Sequence, residues 1–298
     1  MPAPVLTAYW RVTQATNHKP RPPWFSRQAA LASFLSALDR VPGPTRLVYV
    51  ADGGVPAELA DTVARGDEVV AVQGGSASRS YRALLGVALA RTAARERGLV
   101  WFGEDDHLYR PEALVALVGA AQALPGADYF SVYTPDNAAW HADHASQPGR
   151  RGGSCGCDVG GVRWIRSWAS TSTFGLRAPV LRADAALLRL CSRAGGPWDH
   201  TTVSVVQGVA PYPWRHLYDD LYLRASRASA RRVLGRPVVR AGVDLLAGLR
   251  SRVWVAPEPS LATHVELGQL AAGTDWPAVA AQSSRCSTRS STWGSSSI

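Results

Sequence analysis

Short apolar runs alternate with helical patterns along the first half of the chain. Five runs rich in β-branched or aromatic residues predict strands over residues 5–12, 46–51, 68–73, 99–103 and 127–133. Apolar residues at helical spacing predict helices over residues 27–38, 56–64, 78–97 and 111–123. Alternating strands and helices of this kind form a mostly parallel sheet with helices on both faces, so the pattern predicts an α/β fold.

The second half of the chain has a less regular pattern. Residues 134–161 show no period and are interpreted as a loop segment. Further extended stretches and helices are predicted at residues 164–175, 179–193, 198–207, 217–229 and 252–256. From residue 281 the chain is rich in Ser and lacks an apolar period. We therefore predict one domain over residues 1–280, followed by a disordered tail over residues 281–298.

Composition excludes several classes of protein. The chain has 298 residues, of which 46% are hydrophobic and 18% charged, enough apolar content to bury a sizeable core. No apolar run is long enough to cross a membrane, and the first residues, MPAPVLTAYW, lack the pattern of a signal peptide. The four cysteines are too few and too scattered for a disulfide framework. We therefore expect a cytoplasmic protein.

The formal net charge is +9, and nearly all of the positive charge is arginine, because Lys19 is the only lysine. Arginine in place of lysine, with much Ala and Gly, is typical of a GC-rich, bacterial genome. Arginine also pairs with phosphates through its planar guanidinium. A basic chain suits nucleic acid, acidic membrane surfaces or phosphorylated small molecules. The chain has no long basic run and no nucleic-acid-binding motif, which argues against nucleic acid.

Three carboxylates follow the predicted strand 99–103 directly, as Glu104-Asp105-Asp106. Such a turn is either a solvated surface loop or a site for a hard cation such as Mg²⁺ or Mn²⁺, which prefers oxygen ligands. Its position after a buried strand favours the cation, because ligands of parallel α/β sheets bind at the carboxyl ends of the strands. His264, which follows a late strand, is a candidate for completing a Mn²⁺ site.

Other polar residues lie at the ends of predicted elements. Asp52 ends the second strand, and Arg79 lies at the start of the helix after Gly74-Gly75, where a phosphate binds favourably. The glycines match neither a P-loop nor a dinucleotide-binding fingerprint, so an ordinary capped helix is the alternative. Asp199, after Gly195-Gly196-Pro197, is either a helix N-cap or a general base.

Two further features of the less regular half are candidates for binding. His141, His144, Cys155 and Cys157 have side chains that bind zinc, although their spacing matches no known zinc module. Four tryptophans are candidates for stacking on sugar faces, with burial in the core as the alternative: Trp140, Trp164, Trp168 and Trp214.

Taken in order, these pieces resemble the GT-A glycosyltransferases, especially the inverting enzymes like those of family 2. The segments that carry the resemblance are VLTAYWR, NHKPRPPWFS, VYVADGG, GGSASRSYRALL, LVWFGEDDHLYRPEAL, STSTFGLRAPVL, GGPWDH and PEPSLATHVE. They span about residues 5 to 276, and EDD stands where this family more usually has D-x-D.

The resemblance implies a GT-A, Rossmann-like fold with a nucleotide-binding half over residues 1–133 and an acceptor half over residues 134–280. It implies that Asp52 contacts the nucleotide base and that Thr7 or Arg11 lines the same pocket. Arg79 then faces the nucleotide, and Asp105 and Asp106 correspond to the D-x-D motif.

In this interpretation Asp105 touches the ribose, while Asp106 and His264 bind Mn²⁺ or Mg²⁺. Asp199 is the general base. The implied reaction is attack of an acceptor hydroxyl on the anomeric carbon of a nucleotide-diphosphate sugar, with inversion and with the metal stabilising the departing diphosphate. The motifs do not specify the sugar or the acceptor.

Two alternatives remain open at this stage. A nucleotidyltransferase uses a similar sheet and acidic residues, but it normally has a Gly-rich loop with a basic residue after the first strand, and YWRVTQATNHKPRP lacks that glycine. A non-catalytic nucleotide-sugar-binding protein of the same fold is the third hypothesis, against which stand the intact Asp52, Asp106, Asp199 and His264.

Overall fold

The computed structural model of the chain describes residues 5–15, 19–93, 96–133, 156–195, 198–212 and 230–290, without the side chains of residues 230–234 and 286–290. Its strands are β1 (Leu6–Thr13), β2 (Thr45–Asp52), β3 (Glu68–Val72), β4 (Leu99–Glu104), β5 (His107–Tyr109), β6 (Tyr129–Phe130), β7 (Cys157–Val159), β8 (Val162–Arg166), β9 (Phe174–Arg177), β10 (Trp254–Glu258) and β11 (Ala262–His264). Its α-helices are α1 (Arg27–Leu38), α2 (Ala60–Val63), α3 (Ala77–Arg91), α4 (Ala113–Ala123), α5 (Ala178–Cys191), α6 (Trp198–Val206), α7 (Ala230–Ala247) and α8 (Trp276–Ser290), and a short 3₁₀ turn (Ala57–Leu59) precedes α2.

Nine of the described strands form one sheet in the order β3-β2-β1-β4-β9-β6-β10-β8-β7. Strands β1 to β4 are mutually parallel, whereas β9 lies antiparallel to both β4 and β6. Strand β10 is parallel to β6, and β8 and β7 close that side of the sheet as an antiparallel pair. The predicted α/β class is confirmed, with an antiparallel strand, β9, interrupting the parallel order.

Helices cover both faces of the sheet, so the apolar side chains of its strands are buried on both sides. On one face, α1, α4 and α8 pack over a cluster that includes Trp10, Phe34 and Trp101. On the other face, α3, α5, α6 and α7 pack over Tyr9, Phe102 and their neighbours. Helix α1 begins where the sequence predicts, with the Ser26 side chain accepting a hydrogen bond from the Ala29 N–H.

A second, two-stranded sheet pairs β5 with β11 in antiparallel register, placing His107 opposite His264. The Val265 N–H also donates a hydrogen bond to the Asp106 carbonyl oxygen at 2.9 Å. This ribbon joins parts of the chain that are far apart in sequence, and it brings the late histidine to the acidic turn.

Some boundaries differ from the sequence-based expectation. Helix α8 continues through Ser290 and buries Ala280 and Ser283, so the predicted disordered tail does not begin at residue 281. The apolar face that anchors this helix lies before the Ser-rich stretch, so composition alone does not show that the helix continues into that stretch. Helix α3 ends at Arg91 rather than at residue 97. The predicted helix over 217–229 lies outside the described residues.

No helix in the described part of the chain combines the length and the apolar character that a membrane crossing requires.

Gly103 allows Trp10 to pack against the end of β4. A Cβ at this position would lie 2.5 Å from a ring carbon of Trp10. We therefore expect Gly103→Ala to lower the free energy of unfolding by about 1–3 kcal/mol, as overpacking does. Urea denaturation measures this change.

The matched control is Gly119→Ala, because a Cβ on Gly119 in helix α4 meets no atom within 4 Å. It should be neutral or stabilising by up to about 1 kcal/mol, since Ala favours a helix over Gly. Equal effects of the two substitutions would contradict the packing argument.

Candidate active site at the ends of the parallel strands

A cavity of about 280 Å³ lies at the carboxyl ends of β1 and β4. Its walls come from β1 and the segment after it, from the start of α3, from the acidic turn after β4 and from the loop before β9. The lining residues are Arg11, Thr13, Lys19, Arg21, Phe25, Arg27, Ala77, Glu104, Asp105, Asp106 and Ser172. This is the edge of an α/β sheet where ligands bind.

The acidic turn is largely buried. Glu104 is the last residue of β4, and Asp105 and Asp106 form the turn into β5. Their side chains are only 11–13% exposed. Carboxylates taken out of water need partners, because an unpaired buried charge is costly.

Each carboxylate of the turn has its own arginine. Arg11 contacts Glu104 at 2.7 Å, and Arg21 contacts Asp106 at 2.9 Å. The Arg27 Nε atom lies 3.3 Å from an Asp105 oxygen. All three arginines belong to β1 or to the chain between β1 and the first turn of α1, so one short stretch of sequence neutralises the whole turn.

The arginines are themselves fixed by the backbone. Arg27 donates hydrogen bonds to the carbonyl oxygens of Thr13 and Ala15. Arg21 donates to the Val265 carbonyl oxygen, and its guanidinium lies 5.0 Å from the centre of the Phe25 ring. These contacts hold the cations in place before any ligand arrives.

The three carboxyl groups differ in acidity. Burial raises the pKa of Asp105 to about 6, and the neighbouring Asp106 charge adds to this. Burial likewise raises the pKa of Glu104. Burial acts in the same direction on Asp106, but hydrogen bonds from His107 and His264 outweigh it, so the pKa of Asp106 lies well below its usual range. Asp106 is therefore the member of the turn that stays ionised most readily.

Two histidines bracket Asp106. His107 Nδ1 lies 2.8 Å from Asp106 Oδ1, and His107 Nε2 lies 3.0 Å from the Thr171 hydroxyl. His264 Nε2 lies 3.1 Å from Asp106 Oδ2, and the two imidazole rings stack at 5.0 Å. Burial lowers the pKa of His107 to about 4, so this ring is neutral near pH 7 and donates its Nδ1–H to the carboxylate.

The predicted metal ligands, Asp106 and His264, are brought together, and their residue types suit Mg²⁺ or Mn²⁺. Their polar atoms, however, already have partners. Asp106 Oδ2 faces Arg21, and its Oδ1 faces His107. His264 Nε2 faces Asp106 Oδ2 at 3.1 Å, and Lys19 Nζ lies 3.3 Å from the same nitrogen. Among the described residues, no three His, Cys, Asp or Glu side chains are arranged so that they could hold one metal ion. This arrangement does not fit a resident cation as it stands.

Asp52 lies beside the cavity rather than in its lining. It ends β2, pairs in register with Thr13, and accepts a hydrogen bond from the Gly74 N–H at 2.6 Å. A Cβ on Gly74 would lie 2.6 Å from an Asp52 oxygen and from the Ser80 backbone, so glycine permits this close approach. The contact holds the end of β2 against the start of α3.

The remaining predicted residues fall into two groups. Arg11 lines the cavity, whereas Thr7 does not: its hydroxyl donates a hydrogen bond to Glu96, near the opposite end of β1. Thr7 and Thr13 are six steps apart along the extended strand, or about 20 Å, which explains why one strand cannot bring both ends to the same pocket. Arg79, in the first turn of α3, is exposed and outside the lining.

Asp199 lies in the first turn of α6 and is half-buried. Its Oδ1 accepts a hydrogen bond from the His200 N–H at 3.0 Å. Its neighbour Trp198 packs on Tyr81 at 4.2 Å between ring centres. The charge of Asp199 adds to the effect of burial in raising the pKa of Glu104, but Asp199 is not among the residues that line the cavity.

Sequence reasoning missed the basic segment after β1. The residues concerned, Lys19, Arg21 and Arg27, all line the cavity. The available signal was four basic residues within YWRVTQATNHKPRPPWFSR directly after a predicted strand.

Of the proposed zinc residues, only Cys157 lies in the described part of the chain, where it is exposed. Trp164 is buried, as expected if it belongs to the core rather than to a sugar-binding surface. Trp140 and Trp214 lie outside the described residues.

The hydrogen bond from His107 to Asp106 should stabilise the folded protein, so its removal should lower the free energy of unfolding. His107→Phe keeps the size and the stacking of the ring but removes the donor to Asp106. We expect the free energy of unfolding to fall by about 2 kcal/mol, the usual range for a hydrogen bond to a charged group. Thr171→Val, which removes only the neutral partner, should cost about 1 kcal/mol. A loss from His107→Phe no larger than that from Thr171→Val, in urea denaturation, would contradict this account.

No protein-family model and no curated protein sequence matches the chain. Among solved structures, it is similar to 4-diphosphocytidyl-2C-methyl-D-erythritol synthase at 13% identity and a TM-score of 0.38, over 68% of this chain and 85% of that one. It is also similar to CMP:2-keto-3-deoxy-manno-octonic acid synthetase, solved in complex with CTP, at 14% identity and a TM-score of 0.38, over 62% and 78% of the two chains. Both likenesses are too distant to assign an activity.

Proposed function

We propose that the chain is a glycosyltransferase that moves a sugar from a nucleotide-diphosphate sugar to an acceptor hydroxyl. The observation that carries the proposal is the cavity at the ends of β1 and β4, where arginines and buried carboxylates share one wall. Such a mixed site suits a ligand with both anionic phosphates and neutral hydroxyl groups. The resemblance in motif order between the chain and GT-A glycosyltransferases agrees with it.

The diphosphate is assigned to the basic side of the cavity. Arg11 and Arg27 offer guanidinium donors there, and Ala77 places the amino end of α3 in the same wall. The positive end of a helix dipole favours phosphate. Asp52, beside Thr13, is assigned to the nucleotide base, and Asp105 to the ribose. Arg79 is assigned only a contact with the nucleotide at the rim of the cavity.

The acceptor side is assigned to Asp199. In the proposed step, the acceptor oxygen forms a bond to the anomeric carbon while the bond from that carbon to the diphosphate oxygen breaks. Asp199 takes the hydroxyl proton, and the electron pair of the broken bond leaves with the diphosphate. The negative charge that develops there is stabilised by arginines already fixed in position, which lowers the barrier without reorganisation.

A nucleotidyltransferase is the second candidate, and one observation favours it. Lys19, Arg21 and Arg27 follow β1 and line the cavity, so this segment supplies the cations that a glycine-rich phosphate loop would present. The missing glycine is therefore a weaker argument against this activity than the sequence suggested. Both candidates place nucleotide phosphates in the same cavity and differ in the bond that breaks.

The products of the reaction distinguish the two activities. A panel of nucleotide-diphosphate sugars is incubated with the protein, and release of nucleoside diphosphate is measured. In parallel, nucleoside triphosphates with sugar phosphates are tested for release of pyrophosphate. Nucleoside diphosphate from the first panel supports the glycosyltransferase, and pyrophosphate from the second supports the nucleotidyltransferase. Binding of nucleotide without either product would support the non-catalytic alternative.

Asp199→Asn tests the assignment of the base. Asn keeps the size of the side chain and still accepts the His200 hydrogen bond, so the fold should survive. General-base catalysis contributes about 10²–10⁴-fold, so turnover should fall at least about a hundredfold while donor affinity is unchanged. Turnover and donor affinity are measured for the variant beside the wild type.

The control is Asp61→Asn, an exposed aspartate on α2, which should leave turnover unchanged. Near-normal turnover of Asp199→Asn would leave Asp199 with only a structural role in the first turn of α6. Weakened donor affinity with normal turnover would place it on the donor side instead.

A further inference from the structure

We propose that Arg21 and Lys19 take the place of the divalent cation in this cavity, so that the nucleotide diphosphate is bound without a metal ion. The proposal rests on the assignment of this cavity to a nucleotide diphosphate. It concerns what supplies the positive charge, which is a separate question from which bond the protein breaks.

The first argument is occupancy of Asp106. Its Oδ1 accepts from His107 at 2.8 Å, and its Oδ2 accepts from Arg21 at 2.9 Å, with His264 Nε2 at 3.1 Å from the same oxygen. A metal ion bound to Asp106 and His264 would have to displace Arg21 from its contact with Asp106. The Arg21 side chain is only 14% exposed.

The second argument is the position of Lys19, the only lysine of the chain. Its Nζ lies 3.3 Å from His264 Nε2 and 3.0 Å from a Glu266 oxygen. Lys19 and Arg21 thus approach the predicted metal ligands from the same segment. Together they place a positive charge beside both His264 and Asp106, the two residues between which a cation would be expected.

The third argument is the charge of the cavity wall. Its lining contains four basic side chains, Arg11, Lys19, Arg21 and Arg27, and three acidic ones, Glu104, Asp105 and Asp106. The formal sum is +1, whereas a site that captures a divalent cation needs an excess of negative oxygen ligands. A wall with this balance attracts a diphosphate directly and repels a free metal ion.

The fourth argument is that Arg21 keeps donors available. A guanidinium has five N–H donors, and within the described part of the chain two of them are used, one for the Val265 carbonyl oxygen and one for Asp106. Because Arg21 also lines the cavity, the remaining donors can reach a phosphate oxygen. Arginine matches phosphate geometry, and here its own orientation is already fixed.

The experiment measures the affinity for ADP, CDP, GDP and UDP by calorimetry, in excess EDTA and in millimolar MnCl₂. For the nucleotide that binds best, we expect the two dissociation constants to agree within about twofold, because the protein supplies the charge. Binding of Mn²⁺ alone is measured as loss of the electron paramagnetic resonance signal of free Mn²⁺. The wild type should show no such loss.

Arg21→Gln isolates the charge, since glutamine keeps a hydrogen-bond donor toward Asp106. It should weaken nucleotide binding in EDTA by about tenfold or more, and Mn²⁺ should recover part of the loss. Arg21→Lys, which keeps the charge, should recover most of it without metal. Lys19→Gln is a second variant that does not threaten the fold, because that side chain is 42% exposed.

The matched control is Arg163→Gln, on β8 and 51% exposed, which should bind nucleotide like the wild type. Wild-type affinity that rises about tenfold or more with Mn²⁺ would overturn this proposal while leaving the proposed function intact. Unchanged binding by both Arg21→Gln and Lys19→Gln would also overturn it. Failure of every nucleotide to bind in either buffer would overturn the proposed function and this proposal together.

Discussion

Three adjacent carboxyl groups are buried at the end of a central strand, and this placement is possible only with counter-charges. Glu104, Asp105 and Asp106 each have an arginine within salt-bridge distance, and Asp106 has two imidazoles as well. The cost of removing such groups from water is high unless they are paired and hydrogen-bonded. The same ion pairs therefore fix the shape of the cavity and supply the charged groups of its wall.

The main features of the fold were predictable because they depend on local periodicity. The ends of β1 and α1 follow from apolar spacing and from the Ser26 cap, and both lie within two residues of the expected bounds. The acidic turn was found for the same reason, since a charged cluster after an apolar run is visible in a short window. Strand β6 was predicted too long, because tertiary pairing, rather than propensity, limits it to Tyr129–Phe130.

The site was only partly predictable because its distant contacts are set by register. The pairing of β5 with β11 brings His264 to Asp106, and no local pattern encodes that pairing. Arg21 and Arg27 were missed for a related reason: a Pro-rich basic segment is interpreted as a solvated loop unless it is known what lies opposite. Thr7, the alternative to Arg11, lies outside the cavity lining, because a strand that ends at a site also has an end far from it.

The hydrogen bond from Arg21 to the Val265 carbonyl oxygen links the two ends of the described chain, and the packing of α1 against α8 does so again. A ribosome makes Arg21 more than two hundred residues before it makes the oxygen that holds it, since the two positions are 244 apart. The first four parallel strands can form during synthesis, but the wall of the cavity cannot close until β11 has left the exit tunnel. The cavity is thus a late product of biosynthesis, although most of its charged residues are among the earliest made.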